Sequence, residues 1–429
     1  MVPKKSKQTL MLKAIHNKFF YISVTAVIIL VLAFLILPTF LPATFSFDLK
    51  LDLASTTPKT ATSTTGEIET AVVKKIATHI KTPEPVKAIY MTACVAGTPS
   101  FRAKLLKLAQ ETEINTIVID VKDYTGTVSF AIDHPSFKDN AGTGCKVKDM
   151  VDFVEALHQN NIYVIARITA FQDPYITKVH PEWAVKKNSD RSVVWKDRKG
   201  ISFVDAGNKE MWKYLVDLGL ESYAAGFDEI NYDYIRFPSD GDMKDIYFPW
   251  SNDILINNIA APAIGTSTPA VKSGKSIVMR EFFKYLHEHF SPVGIPISAD
   301  LFGMTATNYD DLNIGQILED AAPYFDYIAP MVYPSHYPVG FLNYKSVAEV
   351  NANGYEIVNY SMKIAAERLV KIGEDPLKLR PWLQDNDYPV HYTPAMVRAQ
   401  ITATYDAGLT SWMLWDAGNT YTQSALLTQ

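Results

Sequence analysis

Cysteine is scarce in this 429-residue sequence, which contains only Cys94 and Cys145. The sequence has no CxxC pair and no Cys/His cluster, so it offers no thiolate zinc site, and we expect no bound metal. The two cysteines can form a disulfide or remain reduced, because the sequence does not fix the distance between them. Both alternatives stay open at this point.

Motifs of several common enzyme classes are also missing. No GxSxG elbow is present, and neither cysteine lies in a protease-like context, which argues against nucleophilic hydrolases of those kinds. The GKS at 274–276 lacks the first glycine of a P-loop and follows no strand. We therefore expect no cofactor. The net charge of −5 gives no broad positive surface, so we expect no nucleic-acid partner.

One long uncharged run occurs, from Phe19 to Phe40, and Ile, Val, Leu, Ala and Phe dominate it. Its length spans the hydrocarbon core of a bilayer, which is roughly 30 Å thick. By the positive-inside rule, residues 1–18 form a cytoplasmic tail, residues 19–42 a transmembrane anchor, and the rest lies outside the cell membrane. A cleaved signal peptide is the alternative. The lysines that precede the run are Lys4, Lys5, Lys7, Lys13 and Lys18.

Residues 43–85 have the composition of a linker. From Ala54 to Pro85 the chain is rich in Ser, Thr, Ala, Pro and Lys, as in STTPKTATSTT and THIKTPEPVK. Such a stretch cannot bury enough apolar surface to order itself. We therefore expect the folded domain to begin near Val86 and to occupy residues 86–429.

Short β-branched runs alternate with amphipathic helical stretches from Val86 onward, which is the pattern of a parallel sheet with crossover helices. The predicted strands are Val86–Thr92, Asn115–Val121, Tyr163–Thr169, Phe227–Ile235, Ile297–Phe302, Tyr327–Tyr333, Leu379–Gln384 and Ser411–Trp415. The predicted helices include Lys148–Gln159, Lys209–Ala225, Glu281–Phe290 and Pro394–Asp406. Eight strands favour the α/β class and a closed (β/α)₈ TIM barrel. An open doubly wound sheet is the alternative, but TACVAGTPS in the first turn lacks its GxGxxG motif.

The longest insertion follows the fourth strand, from Pro238 to Ser276. Loops of this size on the C-terminal face of a barrel commonly shape a substrate cleft or act as a lid. We therefore expect this segment to lie beside the site.

Alternation along each strand predicts which side chains face the barrel axis. In strand four, Ile230 and Tyr232 suit the helix side, so Asp233 points inward near the C-terminal end, where barrel enzymes place their chemistry. The same argument places Asp300 of strand five inside, and Asp120 with Lys122 on one face at the end of strand two. Other polar or aromatic residues at or after the strand ends are predicted to line the same cleft: Arg167, Arg236, Tyr333, His336, Trp382, Gln384, Asp385 and Trp415.

These residue types suit the cleavage of a glycosidic bond. The reaction needs a carboxylic acid that protonates the leaving oxygen and a second carboxylate that acts as nucleophile or base, and Asp233, Asp300 and Asp120 are the candidates. Neighbouring cations can keep one carboxylate ionised while a drier environment keeps another protonated. The aromatic side chains can stack on sugar faces. A structural ion network at the barrel mouth is the alternative.

A set of segments resembles a bacterial family of unknown function whose members are described as glycoside hydrolases. The segments are VIDVKDYTGTVSF, GFDEINYDYIRFPSDG, ISADLFGM, DYIAPMVYPSHY, RPWLQDNDY and SWMLWDAGNTYT, and the resemblance covers about residues 86–423. It implies a TIM-barrel hydrolase related to amylase-like and chitinase-like barrels. Strand four ends in DYIRFP, without the Glu of chitinase-like barrels, so the resemblance implies a nucleophile role for Asp233 and an acid/base role for Asp300 or Asp120.

The sequence therefore predicts a membrane-anchored glycoside hydrolase that acts on extracytoplasmic polysaccharide. Two other functions stay open. One is a non-catalytic barrel that binds glycans at the cell envelope. The other is a metal-dependent deacetylase, which needs His and carboxylate ligands at one point, and few His residues lie near the strand ends.

Overall fold

Eight parallel strands close into a barrel in the computed structural model, which describes residues 77–138, 140, 143–257 and 273–429. The ring runs in chain order, and β1 pairs with β8. The closed barrel confirms the predicted fold and excludes the open sheet. The strands are β1 (Lys87–Met91), β2 (Thr116–Lys122), β3 (Tyr163–Thr169), β4 (Glu229–Asp233), β5 (Ile297–Phe302), β6 (Tyr327–Met331), β7 (Trp382–Gln384) and β8 (Trp412–Trp415).

Helices cover the outside of the barrel. The α-helices of the described chain are α1 (Ala93–Ala96), α2 (Pro99–Glu111), α3 (Met150–His158), α4 (Ile176–Val179), α5 (Lys209–Ala224), α6 (Asn252–Asn257), α7 (Gly274–Phe290), α8 (Leu318–Ala321), α9 (Val347–Ala352), α10 (Gly354–Lys371) and α11 (Pro394–Asp406). Polar caps fix where the crossover helices begin: Asn208 accepts a hydrogen bond from the Met211 N–H at α5, and Thr393 accepts one from the Met396 N–H at α11.

The strands divide the apolar residues into two layers because side chains alternate along each strand. Ile89, Ile117 and Ile230 belong to the outer layer, which packs between the sheet and the helices. Val118 and Ile165 belong to the inner layer, which fills the barrel. Parallel strands buried on both faces read as nearly continuous apolar runs, as in YVIARIT of β3, where every residue is buried.

Strands β4 and β7 are shortened most relative to the prediction, and both differences have local causes. Strand β4 ends at Asp233 because Tyr234 takes a left-handed backbone conformation, with φ of 52°. Strand β7 begins at Trp382, since Pro381 before it has no N–H to donate to a ladder.

The cysteines form a disulfide. Cys94, in α1, is bonded to Cys145, in the loop between β2 and α3, with 4.9 Å between their Cα atoms. This settles the alternative that the sequence left open, and it ties together two loops at the C-terminal end of the barrel.

The chain enters the barrel from its N-terminal face. Ile80 packs against the inner layer, and its N–H donates to Asp228 Oδ1 at 2.7 Å. Thr82 Oγ1 and the Tyr163 hydroxyl are hydrogen-bonded at 3.0 Å. The predicted tail (1–18), anchor (19–42), most of the linker (43–85) and part of the insertion after β4 (258–272) lie outside the described residues. Within the described residues, no helix has the length and apolar character needed to span a membrane.

Candidate active site

A cleft of about 930 Å³ opens at the C-terminal ends of the strands. Parallel barrels collect the last residues of all their strands at this face, so side chains distant in sequence meet there. The cleft is lined by Asp120, Arg167, Asp233, Asp300, Trp382 and Trp415, among others.

Arg167 of β3 lies at the centre of this site and contacts all three predicted carboxyl groups. Its Nη1 donates to Asp120 Oδ1 at 2.6 Å, its Nη2 donates to Asp233 Oδ2, and its Nε lies 3.6 Å from Asp300 Oδ2. The four side chains are all buried, at most 6% exposed. In such a dry environment, the single guanidinium is the cation that offsets the carboxylates.

Asp300 has the most perturbed carboxyl group of the site. Burial raises its pKa to about 8, the nearby Asp233 carboxylate adds to the rise, and Arg167 opposes it. Its Oδ1 accepts hydrogen bonds from Asn231 Nδ2 at 2.9 Å and from Trp382 Nε1 at 2.8 Å. Oδ2 accepts no hydrogen bond from the described residues. A pKa near 8 keeps this carboxyl protonated at neutral pH, which is the state that a general acid requires.

Asp120 is held differently, because both of its oxygens accept hydrogen bonds. Oδ1 accepts from Arg167, and Oδ2 accepts from the Tyr90 hydroxyl. Burial raises the pKa of Asp120, while Arg167 and the Tyr90 hydrogen bond oppose the rise. Burial also raises the pKa of Tyr90 well above its ordinary value, so this hydroxyl keeps its proton and remains a donor.

Asp233 is positioned by a strained residue. The Tyr234 N–H donates to Asp233 Oδ1 at 2.5 Å, and Tyr234 holds the left-handed φ that ends β4. This conformation is uncommon for a bulky residue and is typical of functional sites whose surroundings enforce it. The strand end therefore fixes the carboxyl against Arg167.

Aromatic rings form one wall of the cleft. Trp415 stacks on Tyr90 with ring centres 4.1 Å apart, and Trp382 meets Trp415 edge-on at 5.7 Å. The guanidinium carbon of Arg167 lies 5.4 Å from the centre of the Tyr90 ring and 5.2 Å from that of Trp415. Tyr333 lies beside them in the cleft. Flat apolar faces with polar edges suit the binding of a sugar ring.

His336 and Arg236 also lie in the cleft, as the sequence predicts. Burial lowers the pKa of His336, which favours its neutral form, and its Nδ1 is hydrogen-bonded to Ser335 Oγ at 2.9 Å. Arg236 Nη1 donates to the Phe237 carbonyl and to Ser239 Oγ, each at 3.1 Å.

Lys122 is not in the cleft, which corrects its predicted position on the same face as Asp120. A register shift between Asp120 and Lys122 aligns Lys122 with Ile168, an outward-facing residue of β3. Its Nζ is fully buried, forms an ion pair with Asp173 at 2.7 Å and donates to the Thr169 carbonyl at 2.5 Å. The bulge breaks the alternation on which the prediction depended.

Gln384 and Asp385 also turn away from the cleft and hold loops. Gln384 Nε2 donates to the carbonyls of Asn386 and Tyr388, and its Oε1 accepts from the Ser335 N–H. The Asp385 carboxyl accepts from the N–H and the hydroxyl of Thr422, and burial raises its pKa. Both predicted binding residues therefore support the loops around the cleft and do not face it.

The sequence interpretation missed Tyr90, Thr169, Tyr234 and Tyr124, which line the cleft. Alternation along β1 would have revealed Tyr90, since its neighbours Ile89 and Met91 belong to the outer layer. Tyr234 follows the strand and has no such signal. In the described part of the chain, no three His, Cys, Asp or Glu side chains are grouped so that they could hold a metal ion.

Comparison with known proteins identifies the family. The family described as "Putative glycosyl hydrolase domain" matches residues 88–421. No curated protein matches the sequence.

Several solved structures are similar to this chain. The glycoside hydrolase domain of PgaB (BpsB) from Bordetella bronchiseptica is 11% identical with a TM-score of 0.52, and the alignment covers 77% of this chain and 94% of that one. A hypothetical protein from Ruminiclostridium thermocellum ATCC 27405 is 30% identical with a TM-score of 0.40, over 49% of this chain and 96% of that one. At 11% identity, the likeness to the PgaB domain shows the fold.

Proposed function

We propose that this chain, which belongs to the glycosyl hydrolase family, cleaves extracytoplasmic polysaccharide with the carboxyl groups of Asp233 and Asp300. The observation that carries the proposal is the meeting of three buried carboxyl groups on the single guanidinium of Arg167. Glycosidic bond cleavage needs two carboxyl groups in different protonation states, side by side in a cleft.

We assign the proton-donor role to Asp300 and the nucleophile role to Asp233. Asp300 has a pKa of about 8, and its Oδ2 is free of hydrogen bonds from the described residues, whereas both oxygens of Asp120 accept one. Asp300 then gives its proton to the glycosidic oxygen as the bond to the anomeric carbon breaks. Asp233 attacks that carbon, and water hydrolyses the glycosyl-enzyme with Asp300 as the base.

The placement of both carboxyls on one guanidinium favours a retaining reaction. Retaining enzymes hold their two carboxyl groups roughly 5 Å apart, while inverting enzymes separate them by roughly 6.5–9.5 Å to admit a water molecule. Asp233 contacts Nη2 of Arg167 and Asp300 lies near Nε, so the shorter separation is the one this arrangement supports.

The proposal is tested by measuring the reducing ends that the protein releases from a panel of cell-envelope and plant polysaccharides. We expect Asp233→Asn and Asp300→Asn each to lower the rate by at least 10²-fold, since each removes a group that takes part in bond cleavage. Asp152→Asn, at an exposed acid on α3, is the matched control and keeps full activity. Turnover by Asp233→Asn equal to that of the unchanged chain contradicts the assignment.

The same experiment distinguishes a second candidate, a glycan-binding barrel without catalysis. Both oxygens of Asp233 accept a hydrogen bond, one from Arg167 and one from the Tyr234 N–H, and this engagement is the observation that favours binding over bond cleavage. Saturable binding of a polysaccharide without any cleavage products, by the unchanged chain, would support this second function.

We also propose that residues 19–42 anchor the protein in the cell membrane and that the barrel lies outside. The uncharged run, the lysines before it and the linker composition support this topology. The Cys94–Cys145 disulfide suits an oxidising compartment. In cell fractionation, the barrel should remain with membranes after a salt wash and be digested by protease added to intact spheroplasts. Recovery of an intact barrel from the cytosol would contradict the topology.

A further inference from the structure

A second pocket opens beside the active-site cleft. It has a volume of about 390 Å³ and shares Tyr124, Tyr234 and Arg236 with the cleft, so the two form one groove. Its size lies within the range of small-molecule binding pockets, roughly 300–1,000 Å³. None of the roles proposed for the three carboxyl groups uses this pocket, which we call the side pocket.

Gln172 gives the side pocket a polar group. The residue is only 6% exposed, and its backbone forms a bridge with Phe203, which holds it in place. Its side chain lines the pocket, and a ligand hydroxyl can supply both an acceptor and a donor to its amide.

An aromatic ring and balanced charges complete the side pocket. Tyr124 is 56% exposed at the junction with the cleft, where a large exposed ring offers a stacking surface. The charged lining residues are two cations, Lys199 and Arg236, and two acids, Asp197 and Asp240. Because the charges balance, the lining favours a neutral, hydroxyl-rich ligand over an ionic one.

We propose that the side pocket is a sugar-binding subsite, in which Gln172 hydrogen-bonds the hydroxyls of a neutral sugar and Tyr124 stacks on its ring. The substrate is then a chain of several sugars that crosses from the three carboxyl groups to Gln172. This inference rests on the proposed hydrolase function and extends it, because it makes the enzyme selective for longer oligosaccharides.

Titration calorimetry of oligosaccharide binding tests the subsite. The protein is the full-length chain in detergent, and it carries Asp233→Asn so that no substrate is turned over. The probes are cello-, chito-, malto- and xylo-oligosaccharides of two to six units. Gln172→Met keeps the side-chain length and removes the amide, and Tyr124→Ala removes the exposed ring. Tyr360→Ala is the control, since Tyr360 is 43% exposed on α10 and outside both pockets.

We expect one series to bind more tightly as its length grows. Gln172→Met and Tyr124→Ala should each weaken the longer members about tenfold, equivalent to about 1.4 kcal/mol, and leave the disaccharide and the control unchanged. Affinity that does not depend on length, or equal weakening of all lengths, overturns the subsite while the hydrolase function stands. A panel in which no oligosaccharide binds overturns both. If Gln172→Met fails to fold, Tyr124→Ala decides alone, because its ring is exposed.

Discussion

Arg167 determines the electrostatics of the site at the scale of single residues. Three carboxyl groups meet at the barrel mouth, and burial raises the pKa values of two of them, Asp120 and Asp300. The guanidinium opposes this rise at Asp120 and at Asp300, and its planar fork reaches Asp120 and Asp233 with separate nitrogens. Asp120 and Asp233 accept hydrogen bonds from Arg167, whereas Asp300 is the farthest of the three from the guanidinium. This difference in distance supports the role of Asp300 as the proton donor.

The raised pKa of Asp300 predicts a pH profile. If protonated Asp300 is the general acid, the rate of hydrolysis should fall as the pH rises through about 8, because the proton is then lost. Trp382→Phe removes the Nε1–H that favours the carboxylate, so the pKa should rise further and this alkaline limb should move to higher pH.

Measurement of kcat against pH for the two proteins checks this prediction. Trp250→Phe is the control, because Trp250 is 45% exposed and its Nε1 bonds to the Glu182 carbonyl, away from the cleft. An alkaline limb that stays in place or moves to lower pH in Trp382→Phe would show that another group supplies the proton.

The residues that sequence reasoning placed well are those on regular strands. Alternation along DEINYDY put Asn231 and Asp233 inside the barrel, and both lie there, next to Asp300. It failed at Gln384 and Asp385, because Gln384 donates to carbonyls of the loop after β7 and Asp385 accepts from the N–H and hydroxyl of Thr422, in the segment after β8. Such loop contacts depend on tertiary positions that a strand pattern does not contain.

At the scale of elements, the bulge in β2 gives Lys122 a structural role, although the sequence predicts that this residue lines the cleft. Lys122 points outward and pairs with Asp173 where neither side chain is exposed. We expect Lys122→Met to lower the free energy of unfolding by about 3–5 kcal/mol, because it leaves the Asp173 charge buried and unpaired.

Denaturant unfolding measures this cost, and the double variant Lys122→Met/Asp173→Asn is its control. Asn at position 173 removes the stranded charge and keeps an oxygen for the Ile176 N–H, so stability should recover in part. An unchanged unfolding curve for Lys122→Met, with weaker substrate binding, would restore the original prediction of a binding lysine.

The disulfide between α1 and the loop after β2 predicts a stability difference of its own. Its two cysteines are 51 residues apart, and closing a loop of that length stabilises a fold by about 4 kcal/mol in the chain-entropy model. We expect Cys94→Ser/Cys145→Ser to lose stability of this order in denaturant unfolding. Treatment of the unchanged chain with a reductant should lower its stability by the same amount. A loss of stability in the double variant alone, or in the reduced chain alone, would contradict a simple loop-closure effect.

At the scale of the whole molecule, the folded unit begins before the predicted boundary at Val86. His79 stacks on Tyr223 with ring centres 3.8 Å apart, Ile80 packs into the bottom of the barrel, and Thr82 bonds to Tyr163. Residues 79–82 are part of the longer stretch 54–85, whose overall composition is that of a linker, so the sequence gave no signal of these contacts.

These contacts predict that a chain starting at residue 86 is less stable than one starting at residue 77. Loss of the Ile80 and Thr82 contacts should lower the melting temperature by several degrees, since about 1 kcal/mol corresponds to roughly 2–4 °C in large domains. Scanning calorimetry of the two chains measures the difference. Equal melting temperatures would show that the segment adds nothing to the fold.

The barrel itself was predictable because its signals are redundant. Eight apolar runs of strand length, separated by helical periods, leave few topologies open, and right-handed crossovers select the observed one. The disulfide was not predictable, because it depends on how two loops approach each other after the ring has closed. The local sequence pattern therefore predicts the barrel, whereas the disulfide depends on tertiary packing that the pattern does not contain.

The pairing of β1 with β8 gives every strand of the described barrel two hydrogen-bonded neighbours. An open sheet exposes rows of unpaired N–H and C=O groups on which another chain can add a strand, which is a common route to aggregation. The ring offers no such template. A second molecule that associates with the described barrel must therefore contact its helices or loops. Many copies close together on one surface should not aggregate by adding strands to one another.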